Sequence, residues 1–335
     1  MRLLLNITVL ILAAAASFAQ ADEPILIRFA HVTSEKSPKG QGATLFKQLV
    51  EKRLAGKVQV EIYPRALKVD DDQVMAALLF DDVQLAAPSL AKFGSFSPGV
   101  QVFDLPFLFA DVEAVNRFQA SEAGRKLLGS MTDQGIKGLA YWENGMRAIS
   151  ANRPLRLPGD VKGMAFRVEP SAVIQAQYRV LGVTTIPLPF NKVAEALRTG
   201  LVGGQENAWS NIYAQHFDEF QEYFLDLRHS YLGYMLITSS KFWDGLPPDI
   251  RSVLDQIIVE VTVEVNRIAR EKAESDRQKV IAAGKAKVLT PTPEEREEWE
   301  GALEPIWKQF EREIGADLIK AARQANKPAE GVKQQ

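Results

Sequence analysis

Two runs of alternating strand and helix patterns, separated near residue 145, constrain this chain more than any other feature. In the first run Ile25, Ile27 and Phe29 alternate with Leu26 and Arg28, a strand pattern that ends near His31. Ser37-Pro38 follows as an N-cap with proline at the first helical position, and Ala43, Phe46, Leu49, Val50 and Leu54 give that helix a buried face. Val58, Val60 and Ile62 alternate again up to Pro64. A helix over 73–79 and a short apolar strand over 83–87 complete a βαβαβ order, which predicts a parallel sheet covered by helices.

The first run continues to Asn144-Gly145, and the pattern restarts after it. Residues 103–109 (Phe-Asp-Leu-Pro-Phe-Leu-Phe) read as a packed connection, followed by helices over 112–118 and 124–134 and a strand over 136–142. Asn144-Gly145 is a turn signal. Beyond it come a strand over 164–168, a helix over 171–181, a strand over 184–187 and a helix over 191–199, with Gly200 suited to the position after the helix end. Two such units imply two lobes, and 335 residues is the length of two ordinary domains.

Past Tyr231 the order changes. A strand over 231–238 leads to a long helical pattern from Pro247-Pro248, in which Ile250, Leu254, Ile257, Val261, Val265 and Ile268 keep one apolar face. Residues 270–279 are almost wholly polar, yet neither Gly nor Pro intervenes before Gly284. One continuous helix would reach about 50 Å and brace both lobes. Two helices broken near Arg270 fit the periodicity equally. Helices over 293–303 and 305–324 close the pattern, and residues 326–335 read as a flexible tail.

The N-terminus speaks to location. Arg2, the apolar stretch Leu3 to Ala16 and the small-x-small Ala19-Gln20-Ala21 predict a secretory signal peptide over 1–21, hence a periplasmic protein. An uncleaved membrane anchor is the alternative. The chain has no cysteine, so a lipid anchor at a cleavage-site cysteine, disulfides, thiolate metal sites and a cysteine nucleophile are all excluded. With 40 basic against 42 acidic residues, there is no electrostatic footprint for nucleic acid.

Catalytic signatures are missing too. His31, His216 and His229 have no metal-ligand spacing, and no nucleophile-elbow, dinucleotide or Walker motif occurs. Asp70-Asp71-Asp72 and Asp81-Asp82 lack the alternation and glycine of a calcium loop and read as solvated turns. The chain is therefore read as a protein without cofactor, metal or enzymatic step.

Particular words then matter more than periodicity. Phe29-Ala30-His31-Val32, Ser37-Pro38-Lys39-Gly40 and Val83-Gln84-Leu85-Ala86-Ala87-Pro88-Ser89 resemble the start of a tripartite ATP-independent periplasmic (TRAP) transporter solute-binding protein of the DctP type. The resemblance continues in order through residues 103–109, Tyr141-Trp142-Glu143-Asn144-Gly145-Met146-Arg147, Ser150-Ala151-Asn152-Arg153-Pro154 and Gln205-Glu206-Asn207-Ala208-Trp209-Ser210-Asn211. It implies an α/β, two-lobed periplasmic binding protein, a "Venus flytrap" with a long helix spanning both lobes. Lobe one would comprise 22–144 plus 231–271, and lobe two 145–230 plus 272–325.

The resemblance also implies a site for a small organic carboxylate, expected to be a C4-dicarboxylate such as malate, succinate or fumarate. Its signature arginine falls on Arg167 in Gly163-Met164-Ala165-Phe166-Arg167-Val168. A guanidinium suits the role because its planar fork meets a carboxylate bidentately and never loses its charge. Asn207 carries over as a second contact, an amide able to donate to a carboxylate oxygen. Arg147 matches a family position that helps hold an acidic ligand, with a hinge salt bridge as its structural alternative. Trp209 is expected to close over the carbon skeleton, or else to be a core residue. Lys39, Ser89 and Asn211 are placed on the opposite wall or nearby, Lys39 or Arg147 supplying the cation for a second carboxylate.

The partner implied is the membrane subunits of a TRAP transporter. The sequence departs from the family at Phe80-Asp81-Asp82, at Gly203-Gly204-Gln205 and in the loop 63–70, which leaves ligand size and shape open. A sugar acid, keto acid or aromatic acid is the alternative ligand. An exported enzyme or a sensor on the same fold is the alternative function.

Overall fold

The structure, a computed structural model, describes residues 23–327. Ten strands occur among them: β1 (Ile25–Ala30), β2 (Val58–Tyr63), β3 (Leu85–Ala86), β4 (Ile136–Ala151), β5 (Ala165–Val168), β6 (Thr184–Pro187), β7 (Gly204–Ala208), β8 (Tyr223–Leu225), β9 (Tyr231–Ser239) and β10 (Lys287–Leu289). Their order is β2-β1-β3-β9-β4-β7-β5-β6, with β8 joined to β4 and β10. β1 pairs in parallel with β2 and β3, as the first βαβαβ run requires. β5 pairs in parallel with β6 and β7 in the second half. The expected cap also forms: Ser37 accepts from the Gly40 N–H at the start of helix Pro38–Arg53.

β4 belongs to both halves. Up to Met146 it pairs antiparallel with β9, and from Arg147 to Ala151 it pairs with β7. The turn expected at Asn144-Gly145 is therefore a correction: the strand runs straight through it, with a register shift between Glu143 and Gly145. Gly145 at φ +144° accommodates that irregularity. The Asn144 side chain is held sideways instead of closing a turn. It donates to the Tyr234 hydroxyl at 2.8 Å and accepts from the Ser210 hydroxyl.

The helix left open by periodicity is continuous. It covers Pro248–Ala283, 36 residues, or about 54 Å at the usual rise. Leu254, Ile257, Val261 and Val265 pack with Phe29, Phe46 and Trp142 in the first half, whereas Val280 packs with Trp209 and Phe217 in the second. Gly42 lets the first helix approach closely, since a Cβ there would strike the Val265 side chain. The polar stretch persists because it is tied on both sides: Arg270 reaches Glu143 at 3.1 Å and Arg277 reaches Asp226 at 3.0 Å.

The C-terminal helices divide their packing in a way the lobe boundaries did not anticipate. Trp299 and Leu303 of helix Pro293–Leu303 join the core around β5. Ile306, Phe310, Ile314 and Ile319 join the core around Phe103 and Phe118 of the first half. Gly315, at φ +104°, breaks the helix expected over 305–324 into two. Asn326, expected to begin a flexible tail, is tied to Ala110 N–H at 2.9 Å and to the Leu108 carbonyl at 2.8 Å. The signal peptide over 1–21 and the tail from 328 lie outside the described residues.

Candidate functional site

In an α/β sheet, ligands bind beyond the carboxyl ends of the parallel strands. Segments leaving β1, β2 and β3 there meet the ends of β5 and β7 across a cleft. Val32, Asp71, Ser89, Leu232 and Tyr234 form one wall, and Arg167, Glu169, Phe190, Asn207 and Asn211 form the other. The space between them is narrow, with about 10 Å³ open to the centre of a water molecule. The walls touch: Asn211 Nδ2 donates to the Tyr234 hydroxyl at 3.3 Å.

Arg167 is buried at 1% exposure. β5 holds it between Ile186 of β6 and Gln205 of β7. Its Nε and Nη2 donate to the Leu188 carbonyl at 3.1 and 2.9 Å, which orients the guanidinium plane. Among the described residues no carboxylate lies within 4.0 Å of it. Burial lowers its proton affinity, opposed by the charges of Glu169 and Glu206. A buried cation without an ionic partner is costly, and an entering anion would relieve that cost.

Lys39 is also fully buried. Its Nζ donates to the Ala87 carbonyl at 2.8 Å and sits 3.8 Å from the centre of the Tyr234 ring. Burial pulls its pKa down to about 8 against the charges of Asp71 and Glu169. Lys39 thus stands behind Tyr234, outside the cavity lining itself. Nearby His31 is pulled to about 3, mainly by burial and then by Lys39, so it is neutral at ordinary pH.

Asn207, Asn211 and Ser89 all line the cavity. Asn211 Nδ2 donates to Asn207 Oδ1 at 2.8 Å, and Asn207 Oδ1 also accepts from the Ala208 N–H at 3.2 Å. The Asn207 amide nitrogen has only a long contact to Gln205 Oε1, at 3.4 Å. Its donor capacity is therefore largely unspent. Ser89 Oγ accepts from Ala91 N–H at 3.4 Å, capping a short 3₁₀ turn.

Three expected contacts lie outside the lining: Lys39, behind Tyr234, and Arg147 and Trp209. Arg147 does not line the cavity. It is clasped by Glu169 and Glu206, each at 2.7 Å, with Asp104 at 3.9 Å. Its charge is consumed at the crossover of β4 between the lobes, the hinge alternative named above. His229 Nε2 closes the cluster on Glu206 at 3.0 Å. Trp209 is also absent from the lining: its Nε1 donates to Asp226 at 3.0 Å and its ring packs on Phe224, 5.7 Å away. The reason is local geometry. Asn207 lies on the cleft face of β7, and Trp209 begins the next helix and turns into the second-lobe core.

Sequence reasoning missed Asp71, Glu169, Phe190 and Tyr234. Asp71 was read as part of a solvated turn but is 8% exposed. Glu169 had a legible signal, since it stands two residues after Arg167 and so on the same side of an extended segment. Tyr234 and Phe190 had none, because an aromatic in an apolar run looks like core.

Residues 29–313 match the family model described as DctP, bacterial extracellular solute-binding protein, family 7. The chain is 47% identical, over 90% of its length and 91% of the relative's, to the C4-dicarboxylate-binding periplasmic protein DctP of Vibrio cholerae. A TRAP periplasmic solute-binding protein from Shewanella oneidensis, solved with bound succinate, superposes with a TM-score of 0.90 at 45% identity, covering 91% of this chain and 100% of that one. One from Pseudomonas aeruginosa, with bound L-malate, gives 0.83 at 46% identity, covering 85% and 100%.

Proposed function

Since the chain belongs to the DctP family of bacterial extracellular solute-binding proteins, we propose that it captures a C4-dicarboxylate in the cleft for a TRAP-type transporter. The single observation that carries the site assignment is Arg167, a buried guanidinium that faces the cavity with no carboxylate within 4.0 Å among the described residues. One ligand carboxylate docks on its fork and takes a further hydrogen bond from the Asn207 amide. The second carboxylate lies toward Lys39, with Ser89, Asn211 and Tyr234 supplying hydroxyl and amide groups.

Arg147 acts indirectly in this reading. It pairs with both Glu169 and Glu206 and offsets one of their two negative charges, which lessens their repulsion of the entering anion. Lobe one, residues 22–144 plus 231–271, is the part that swings, and closure expels water from the ion pairs. Ligand stabilises the closed form only through its higher affinity for that form. The closed surface is then what the membrane subunits recognise. Export through the 1–21 signal peptide places the protein in the periplasm, and binding without turnover is its whole chemistry.

The experiment is a thermal-shift and calorimetric screen of the mature protein. It would compare succinate, L-malate and fumarate with sugar acids, keto acids and aromatic acids. Stabilisation by the C4-dicarboxylates above the rest is expected. A sugar acid or keto acid that outcompetes them would overturn the ligand class, and turnover of any bound acid would overturn the binding-only reading.

A further inference from the structure

Asp71 is a carboxylate in the wall of a cleft read as an anion site. It lines the cavity and is 8% exposed. Among the described residues no Lys, Arg or His nitrogen lies within 4.0 Å of it. The other acids around the cleft each touch a cation: Glu169 and Glu206 share Arg147, each at 2.7 Å, and Asp72 meets Lys92 at 2.5 Å. The charges that face Asp71 are Lys39, Lys92, Glu169 and Asp72.

The balance of charge decides what an entering dianion does. Arg147, Arg167, Lys39 and Lys92 stand against Asp71, Asp72, Glu169 and Glu206. Asp104 and His229 lie behind Arg147, outside the lining. The cleft is therefore close to neutral before a dicarboxylate adds two negative charges to a space closed to water. Among the acids that line that space, Asp71 alone has no Lys, Arg or His nitrogen within 4.0 Å among the described residues to hold its charge.

We propose that Asp71 takes up a proton from solvent as the dicarboxylate enters and donates it in a hydrogen bond to the ligand's second carboxylate. This rests on the reading above, in which Arg167 holds the first carboxylate. Burial already pushes the Asp71 carboxyl up, while Lys39 and Lys92 hold it down and Glu169 and Asp72 add to the rise. A ligand carboxylate beside it raises it further. The sign follows from linkage. The complex binds more protons than the free protein, so affinity is greatest at low pH and falls as pH rises. A carboxylic acid in this position also favours ligands that present an acceptor opposite the Arg167 end, which is a basis for selecting dicarboxylates over monocarboxylates.

The test is calorimetry of L-malate binding to the mature protein between about pH 6.5 and 8.5, in buffers of different ionisation heat. Wild type should take up close to one proton per ligand and weaken by up to about tenfold per pH unit. Asp71→Asn keeps a donor in the same place without a titrating group. It should take up no proton, lose the pH dependence and bind L-malate more tightly than wild type at the alkaline end. Absence of uptake in wild type, or equal uptake in the folded variant, overturns the proposal. So does a folded Asp71→Asn that binds at no pH. Should Asp71→Asn fail to fold, Asp71→Ser and the wild-type proton count decide it. Arg167→Ala separates the two layers: undiminished binding there refutes the site itself, whatever Asp71 does.

Discussion

Glu169 gives its carboxylate to Arg147, at 2.7 Å, although Arg167 stands only two residues before it. One arginine is thereby saturated, and the other has no ionic partner among the described residues. That division spends one of two similar side chains on protein carboxylates and leaves the other in the cavity wall, held by the Leu188 carbonyl. It follows from the strands: Arg147 lies where β4 leaves β9 for β7, within reach of acids from both directions, whereas Arg167 is braced by the Leu188 carbonyl.

Arg167→Lys keeps the charge and loses the fork. Affinity for succinate is expected to fall by roughly 30- to 1,000-fold, about 2–4 kcal/mol, with a melting temperature near the parent's. Calorimetry and a thermal melt measure both, and wild-type affinity in the variant would remove Arg167 from the site.

Arg147→Met leaves Glu169 and Glu206 buried without their cation. Stability should drop by about 3–5 kcal/mol, read from urea unfolding. A loss under about 1 kcal/mol would mean that the clamp is not structural.

Asp104 is pushed up to about 7, chiefly by burial and against the attraction of Arg147. Its folded pKa thus exceeds the unfolded one, so the native state holds a proton that the unfolded state has lost. Stability from this group therefore declines as pH rises from about 4 to about 7, by about 1.4 kcal/mol per unit at most. Asp104→Asn should flatten that decline, so its stability relative to wild type should be higher at pH 8 than at pH 5. Urea titrations at the two values check it, and an unchanged difference would count against it.

Trp209→Phe separates packing from recognition. Affinity for succinate should stay within about threefold, since the ring lies outside the cavity. Loss of the hydrogen bond to Asp226 should cost about 1 kcal/mol of stability. A tenfold loss of affinity with unchanged stability would return Trp209 to the cleft.

The sequence by itself determined most of the local elements and the family resemblance. The period-2 and period-3.6 patterns marked most strands and helices, because each burial face is written into neighbouring residues. Of the residues the resemblance pointed to, Arg167, Asn207, Ser89 and Asn211 meet in one cavity, whereas Lys39, Arg147 and Trp209 do not line it. Tertiary structure alone decided three matters. It carried β4 through Asn144-Gly145, because contacts to Tyr234 and Ser210 outweigh a local turn preference. It kept the helix whole past Arg270, because Glu143 and Asp226 from distant strands receive its arginines. And it spent Arg147 on Glu169 and Glu206 while setting Arg167 and Asp71 in the cavity wall. A guanidinium or carboxylate is the same in any sequence; whether it is spent on a neighbour or left for a ligand depends on which groups folding brings within about 4 Å of it.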